Sequence, residues 1–321
     1  MPVEQKIVFL DAATVDYGDI DFSPLENLGE FIAYSRTTPD EAPVRSGDAS
    51  VVITNKVVFD RDLLRQCPEL KHIAVAATGY NTIDITEART LGISVSNVPG
   101  YSTGSVAQLT MTFILALASN LVPYDDAARN GQWSASPLFT LGDWPFIELE
   151  GRTAGILGYG SIGKEVARLC RAFNMQVIAL KREGADPGGD VERCPLHEIA
   201  ARSDFVSVHM PLSDYSHGLI GADFIGRMKK SAFLINMARG PIVDPGALRL
   251  ALEQGLIAGA ALDVMEKEPP SKDDPLLSAP NLIITPHKAW ASNEARQRLV
   301  NELAENIASF LRGEKRNCVT G

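Results

Sequence analysis

The chain has 321 residues, 45% of them apolar and 22% charged, enough for two domains with sizeable cores and inconsistent with a disordered or low-complexity protein. A formal net charge of −10 speaks against broad nucleic-acid binding or adhesion to an anionic membrane. Small molecules are the expected partners, with room for a local basic pocket. Cys67, Cys170, Cys194 and Cys318 show neither CxxC pairing nor metal-ligand spacing, so reduced thiols in a cytoplasmic protein without a metal site are expected.

The first residues run directly into the apolar segment Ile7–Leu10, leaving no room for the basic and apolar regions of a secretion signal. Strand-like runs at Ile7–Leu10, Val51–Thr54, Ile73–Ala76 and Ser94–Asn97 alternate with helical stretches such as Asp60–Gln66, the rhythm of a parallel sheet covered on both faces. A long helix is expected from about residue 104 to 121. Its apolar run Val106–Val122 is interrupted by Gln108, Thr110, Thr112, Ser119 and Asn120 and falls short of the ~20 residues of a membrane span, so it reads as a buried helix. Trp133–Glu150 is rich in Pro, Gly and aromatics, lacks periodicity, and reads as an arm or lid.

At Arg152 a second unit begins. An apolar strand feeds Gly158-x-Gly160-x-x-Gly163, and a helical segment, Lys164–Phe173, follows. In that setting the first glycine permits a tight turn and the second lets main chain approach a pyrophosphate. The third lets helix and strand pack, with helix N-terminal amides facing the negative charge. Further strands are expected at Val177–Leu180, Phe205–His209, Phe233–Asn236, Ala258–Asp263 and Leu282–Thr285, giving a doubly wound nucleotide domain. The terminal helix, Asn293–Arg312, should pack back on the first unit, so that one lobe is built from both chain ends and a cleft separates two similar lobes.

Three later segments place polar chemistry at strand ends. In Ile235–Asp244 an apolar strand ends in Arg239 before Gly240-Pro241, and an arginine fork there suits a carboxylate. In Ala260–Pro270, Asp263 closes a strand and Glu268 stands in a proline-bounded loop; in Ile284–Trp290, His287 follows a strand and a proline. A histidine suits proton transfer near neutral pH, and a carboxylate beside it would orient it. Spacing does not show whether Glu268 and His287 meet, and each residue alone also fits a structural role.

Beyond the glycine fingerprint, the segments Ala77–Asp84, Asn97–Gln108, Val208–Leu212, Asn236–Asp244, Leu262–Pro269 and Thr285–Ser292 resemble the D-isomer-specific 2-hydroxyacid dehydrogenases, and within them the glycerate dehydrogenase (hydroxypyruvate reductase) branch. The resemblance covers nearly the whole chain. It implies two Rossmann-like α/β lobes with parallel sheets: a substrate-binding lobe of residues 1–101 and 290–321, a nicotinamide dinucleotide-binding lobe of residues 102–289, and an active-site cleft between them. It implies hydride transfer between NADH or NADPH and a small 2-keto acid, hydroxypyruvate or glyoxylate, by a homodimer whose interface uses the long helix and the aromatic arm. Arg239 would anchor the substrate carboxylate, His287 act as general acid, and Glu268 hold His287, with Thr78 and Gly79 adding main-chain donors. Cofactor contacts would come from Thr103, Gly158, Tyr159, Gly160, Ser161, Ile162, Gly163, Lys181, Arg182, His209, Pro211, Ala238 and Asp263, the last at the nicotinamide amide.

Two departures stand out. NAD-specific members place an acid after the strand that follows the glycine helix, whereas this chain has Lys181 and Arg182 before Glu183, which suits the 2′-phosphate of NADP. The opposing reading has both cations facing solvent and Glu183 serving the ribose. Lys288 follows His287 where relatives usually carry an apolar residue, either beside the imidazole or pointing outward. Alternatives are a dehydrogenase for another D-2-hydroxy acid and a non-catalytic, cofactor-sensing scaffold similar to the corepressors of this fold.

Overall fold

The computed structural model describes residues 5–181 and 189–321. The chain divides into two compact units, residues 1–102 with 290–321, and residues 103–289. In the first unit, strands β1 (Lys6–Phe9), β2 (Glu30–Ala33), β3 (Val51–Thr54), β4 (His72–Val75) and β5 (Ser94–Ser96) form a parallel sheet in the order β2-β1-β3-β4-β5. Successive strand side chains point to opposite faces, and the run from Ile7 to Leu10 divides accordingly. Ile7 and Phe9 join Val51, Ile53, Leu299, Val300 and Leu303 in one buried layer. Val8 and Leu10 join Val52, Ile73, Val75, Leu63 and Leu64 in the other.

This two-sided burial explains why the strands read as unbroken apolar runs. The terminal helix Asn293–Leu311 covers the first of these layers, capped by Ser292, whose hydroxyl accepts from the Ala295 amide at 3.2 Å. Truncating fully buried Leu299 to alanine would cost about 2–5 kcal/mol.

The second unit holds β6 (Thr153–Leu157), β7 (Gln176–Leu180), β8 (Glu192–Cys194), β9 (Phe205–Val208), β10 (Phe233–Asn236), β11 (Gly259–Leu262) and β12 (Leu282–Ile284), all parallel in the order β12-β11-β10-β9-β6-β7-β8. The chain starts at β6, winds outward through β7 to β8, then crosses to β9 on the other side, so the sheet reverses direction between β6 and β9. Such a switch point leaves a crevice at the carboxyl ends of the strands. Two layers again sandwich the sheet, one built on the helices Thr103–Ser119 and Ser161–Ala172, the other on the helices Leu196–Arg202, Ala222–Gly226 and Pro245–Glu253.

The sheets contain two strands absent from the sequence reading, β2 and β8. Both are edge strands, short and only partly buried; β8 carries no apolar run, and β2 has only the short run Phe31-Ile32-Ala33, with Glu30 and Ala33 exposed. The long helix stops at Ser119, because Asn120 turns left-handed (φ 50°), and a second helix, Leu121–Arg129, leaves at 62°. No single helix among the described residues is long and apolar enough to cross a membrane. In the aromatic segment one short helix, Gln132–Ala135, forms; Trp133, Leu138, Phe139 and Phe146 are exposed, Phe139 by 91%.

Candidate active site

The site in the second unit starts at the switch point. Gly158 adopts φ +101°, and a Cβ there would stand 2.5 Å from the Met210 amide and 2.6 Å from the His209 carbonyl carbon, so only glycine lets the loops after β6 and β9 pack. A Cβ on Gly163 would strike the Gly158 carbonyl, which brings the helix against the strand. Gly160 differs: nothing lies within 4 Å of its missing Cβ. Gly160 is also the N-cap of Ser161–Ala172 and has no side chain to satisfy the first amides of that helix.

Beside this loop lies a cavity of about 960 Å³, lined by Gly158, Tyr159, Gly160, Lys181, His209 and Pro211 among others. Its walls contain open main chain at a helix N-terminus and one buried imidazole nitrogen, His209 Nδ1, without a partner. The other ring nitrogen of His209 lies 2.8 Å from Ser207 Oγ, and burial pushes the imidazole pKa down to about 3, so the ring is neutral. These residues fit the diphosphate and adenosine portions of a dinucleotide. Ser161 opens the helix, Ile162 packs partly into the core behind it, Thr103 opens the helix Thr103–Ser119, and Lys181 is exposed at the end of β7. Arg182 and Glu183 lie outside the described residues.

Chemistry gathers at the ends of β10, β11 and β12. Buried Asn236 closes β10; its amide donates to the Arg239 carbonyl at 2.9 Å and its carbonyl accepts from the Ala238 amide at 3.0 Å, fixing the turn that presents Arg239. Arg239 is exposed, and its Nη1 donates to the Ala238 carbonyl at 2.7 Å. The next residue, Gly240, packs so closely that a Cβ would collide with the Met265 carbonyl and the Glu266 amide. Met265 in turn donates its amide to Glu268 Oε1 at 2.9 Å, so the arginine turn and the glutamate loop form one packed assembly.

Glu268 Oε2 lies 2.6 Å from His287 Nδ1. The carboxylate thus accepts from Nδ1–H and leaves Nε2 as the working nitrogen. His287 is a left-handed residue (φ 50°), held by its amide, which donates to the Asp263 carbonyl at 2.8 Å and the Thr285 carbonyl at 3.0 Å. Asp263, buried at the end of β11, accepts from Thr285 Oγ1 at 2.5 Å, the Lys288 amide at 2.9 Å and the Ala289 amide at 2.8 Å. Its carboxylate therefore fastens the whole His287 turn. Lys288 is exposed, its amide rather than its side chain serving this clamp.

In the first unit, Thr78 and Gly79 follow β4. Thr78 Oγ1 donates to the Val98 carbonyl at 3.0 Å, and the Thr78 carbonyl accepts from Asn97 Nδ2 at 2.6 Å, so both sides of this turn are pinned.

Residues 111–289 match the family described as "D-isomer specific 2-hydroxyacid dehydrogenase, NAD binding domain". The chain is 38% identical over 320 residues to a hydroxypyruvate reductase of Blautia hydrogenotrophica, covering 98% of this chain and 99% of the relative. The chain belongs to the D-isomer-specific 2-hydroxyacid dehydrogenase family. A glycerate dehydrogenase of Methylorubrum extorquens is 39% identical over 317 residues, 98% of this chain and 99% of its own. Among solved structures, an acyclic imino acid reductase in complex with NADPH and D-Arg superposes with a TM-score of 0.87 at 28% identity, covering 98% of this chain and all of that one. The glycine loop and the Arg239, Glu268 and His287 segments all lie within the family match, which takes in the whole second unit except residues 103–110.

Sequence reasoning did not single out three residues that stand beside these segments: Asn236, Gly240 and Arg193, the last in the wall of the cavity next to the glycine loop. The first two carry a signal, a polar residue closing an apolar strand and a glycine directly after a candidate ligand residue. Arg193 carries none, because it belongs to the unrecognised edge strand β8.

Proposed function

We propose that the protein reduces a small 2-keto acid, hydroxypyruvate or glyoxylate, to the D-2-hydroxy acid in the cytoplasm, with the reverse oxidation using the same residues. The observation that carries this reading is the Glu268–His287 contact of 2.6 Å on a doubly fastened turn, beside the arginine turn locked by Gly240. When bound, the nicotinamide cofactor supplies the hydride. His287 then delivers a proton from Nε2 to the developing alkoxide, a contribution typically worth ~10²–10⁴-fold, and Glu268 stabilises the imidazolium. Arg239 pairs with the substrate carboxylate and polarises the keto oxygen, with main-chain donors from Thr78 and Gly79.

In this reading the pyrophosphate rests on Gly158, Gly160, Ser161 and Ile162, Gly163 keeping the helix close, and the adenosine lies along Tyr159, Lys181, His209 and Pro211. Thr103 and Ala238 line the nicotinamide side, and Asp263 meets its amide with the acceptor capacity that three internal donors leave free. Lys181 in the cavity wall supports use of NADPH at least as well as NADH. The exposed apolar residues Leu121, Val122, Trp133, Leu138, Phe139 and Phe146 support a homodimer formed through the arm; a monomeric mass in light scattering would reject it.

The deciding experiment follows NADPH and NADH oxidation with hydroxypyruvate, glyoxylate, pyruvate and phenylpyruvate, alongside His287→Ala. Hydroxypyruvate or glyoxylate turnover, lost in the variant, is the expected result. Preference for another keto acid would move the substrate, and cofactor binding without any turnover would leave a sensing scaffold as the better account.

A further inference from the structure

Arg193 stands on β8, in register with Ala179 of β7. Its neighbour Cys194 points into the core, so strand alternation sends Arg193 to the opposite face, where its guanidinium lies over the Tyr159 ring at 4.5 Å from the centroid. Tyr159 is the residue between the first two glycines of the phosphate loop. Its hydroxyl donates to Asp190 Oδ2 at 2.8 Å, and Asp190 is also held by Arg171, whose Nη2 donates to the Asp190 carbonyl at 2.7 Å. The ring is therefore a fixed shelf. From that shelf Arg193 Nη1 reaches to the Leu180 carbonyl at 3.4 Å, beside Lys181 at the end of β7.

Arg193 and Lys181 both line the cavity next to the glycine loop, together with His209, which is neutral. Among the described residues lining it there is no aspartate or glutamate. Two permanent cations with no carboxylate among the described lining residues suit a phosphate dianion in that place better than a ribose diol, which is read by an acceptor. This local charge runs against a chain of net charge −10.

We propose that Arg193, seated on Tyr159, is the residue that selects the 2′-phosphate of NADP, with Lys181 as the second cation. The inference rests on the reading of this cavity as the adenosine site of a nicotinamide cofactor and deepens its preference for NADPH. The planar fork pairs two phosphate oxygens, while the cation–π contact holds it in place before the cofactor arrives, which limits the entropy lost on binding.

The test is Arg193→Gln, with Arg193→Lys and Lys181→Ala for comparison, read by kcat/KM for NADPH and NADH and by calorimetric affinity for 2′,5′-ADP and 5′-AMP. Expected in Arg193→Gln is a loss of roughly tenfold or more in kcat/KM for NADPH and in 2′,5′-ADP affinity. NADH and 5′-AMP should change less than about threefold, and kcat at saturating NADPH should hold, with lysine restoring only part because it offers a point charge. A wild-type protein that binds 2′,5′-ADP and 5′-AMP alike overturns the NADPH reading itself. A wild-type preference for 2′,5′-ADP that survives Arg193→Gln overturns only the role of Arg193. Equal losses for both nucleotides would make Arg193 a support for Tyr159 and overturn the assignment as well.

Discussion

The two units solve the same problem in opposite ways. Each is an open parallel sheet whose strand order reverses beside its first strand, between β1 and β3 in one and between β6 and β9 in the other. In the first unit the loop amides at the switch point are taken by the protein's own anion, beside a cavity of about 680 Å³ lined by Asp11, Arg36, Lys56 and Val57 among others. Asp11, two residues beyond the end of β1, accepts from the Asn55 amide at 2.9 Å, the Lys56 amide at 2.6 Å and the Val57 amide at 3.3 Å, in the loop after β3. In the second unit Gly158 brings the corresponding loops together without a side chain, and Gly160 leaves the helix amides and the space above them open. One fold thus yields a rigid platform where a carboxylate is built in, and a binding site where glycine withholds it.

The contrast makes the chemistry depend on the second unit. The largest effect is expected for His287→Ala, a loss of about 10²–10⁴-fold in kcat with cofactor affinity retained, measured by steady-state turnover and cofactor titration. Glu268→Gln should fall between wild type and this variant. A His287→Ala protein with near wild-type kcat would remove the proton donor from the scheme.

Next come the glycines, which separate room for ligand from room for protein. Gly160→Ala faces open space at a φ of −85°, so its melting temperature should match wild type while NADPH affinity drops roughly tenfold or more. Gly158→Ala combines φ +101° with a Cβ 2.5 Å from the Met210 amide and should instead lower the melting temperature outright. Thermal melts with and without NADPH distinguish the two, and identical behaviour would mean that Gly160 is not where the cofactor approaches.

In the first unit the matching change is Asp11→Ala. It strips acceptors from three amides around a buried position and should cost about 1–3 kcal/mol of stability without changing cofactor affinity. Weakened NADPH binding at unchanged stability would show that Asp11 serves the cofactor rather than the fold of the first unit.

Legibility in the sequence follows the same physics. Strands buried on both faces wrote themselves as apolar runs, and the glycine loop was readable because withheld side chains leave a spaced pattern. The edge strand β8 has one solvent-facing margin and no such run, so Arg193, which it carries, went unseen; β2 was passed over although Phe31-Ile32-Ala33 is a short run of that kind. Glu268 and His287 are 19 residues apart, and their meeting depends on where β11 and β12 end, which no local pattern encodes. Asp11 was equally silent, since a carboxylate that closes a loop looks in sequence like any residue following a strand.

The smallest expected effect tests how fully the first unit is sealed. His72, on β4, is buried, stacked on Phe310 at 4.5 Å and placed with Nε2 3.0 Å from Ser96 Oγ, and burial pushes its pKa down to about 4 from an ordinary 6.5. The folded unit therefore holds His72 neutral while the unfolded chain takes up a proton as pH falls through about 6.5. Stability linked to this residue is complete above that pH and is lost progressively down to about pH 4. At about pH 5.5 the loss is ~1.4 kcal/mol, one pH unit below the unfolded value. Urea unfolding of wild type and His72→Gln at about pH 7.5 and 5.5 should show the gap between them closing by that amount on acidification. Parallel curves would mean that water reaches the imidazole, and that the sheet of the first unit is open at β4.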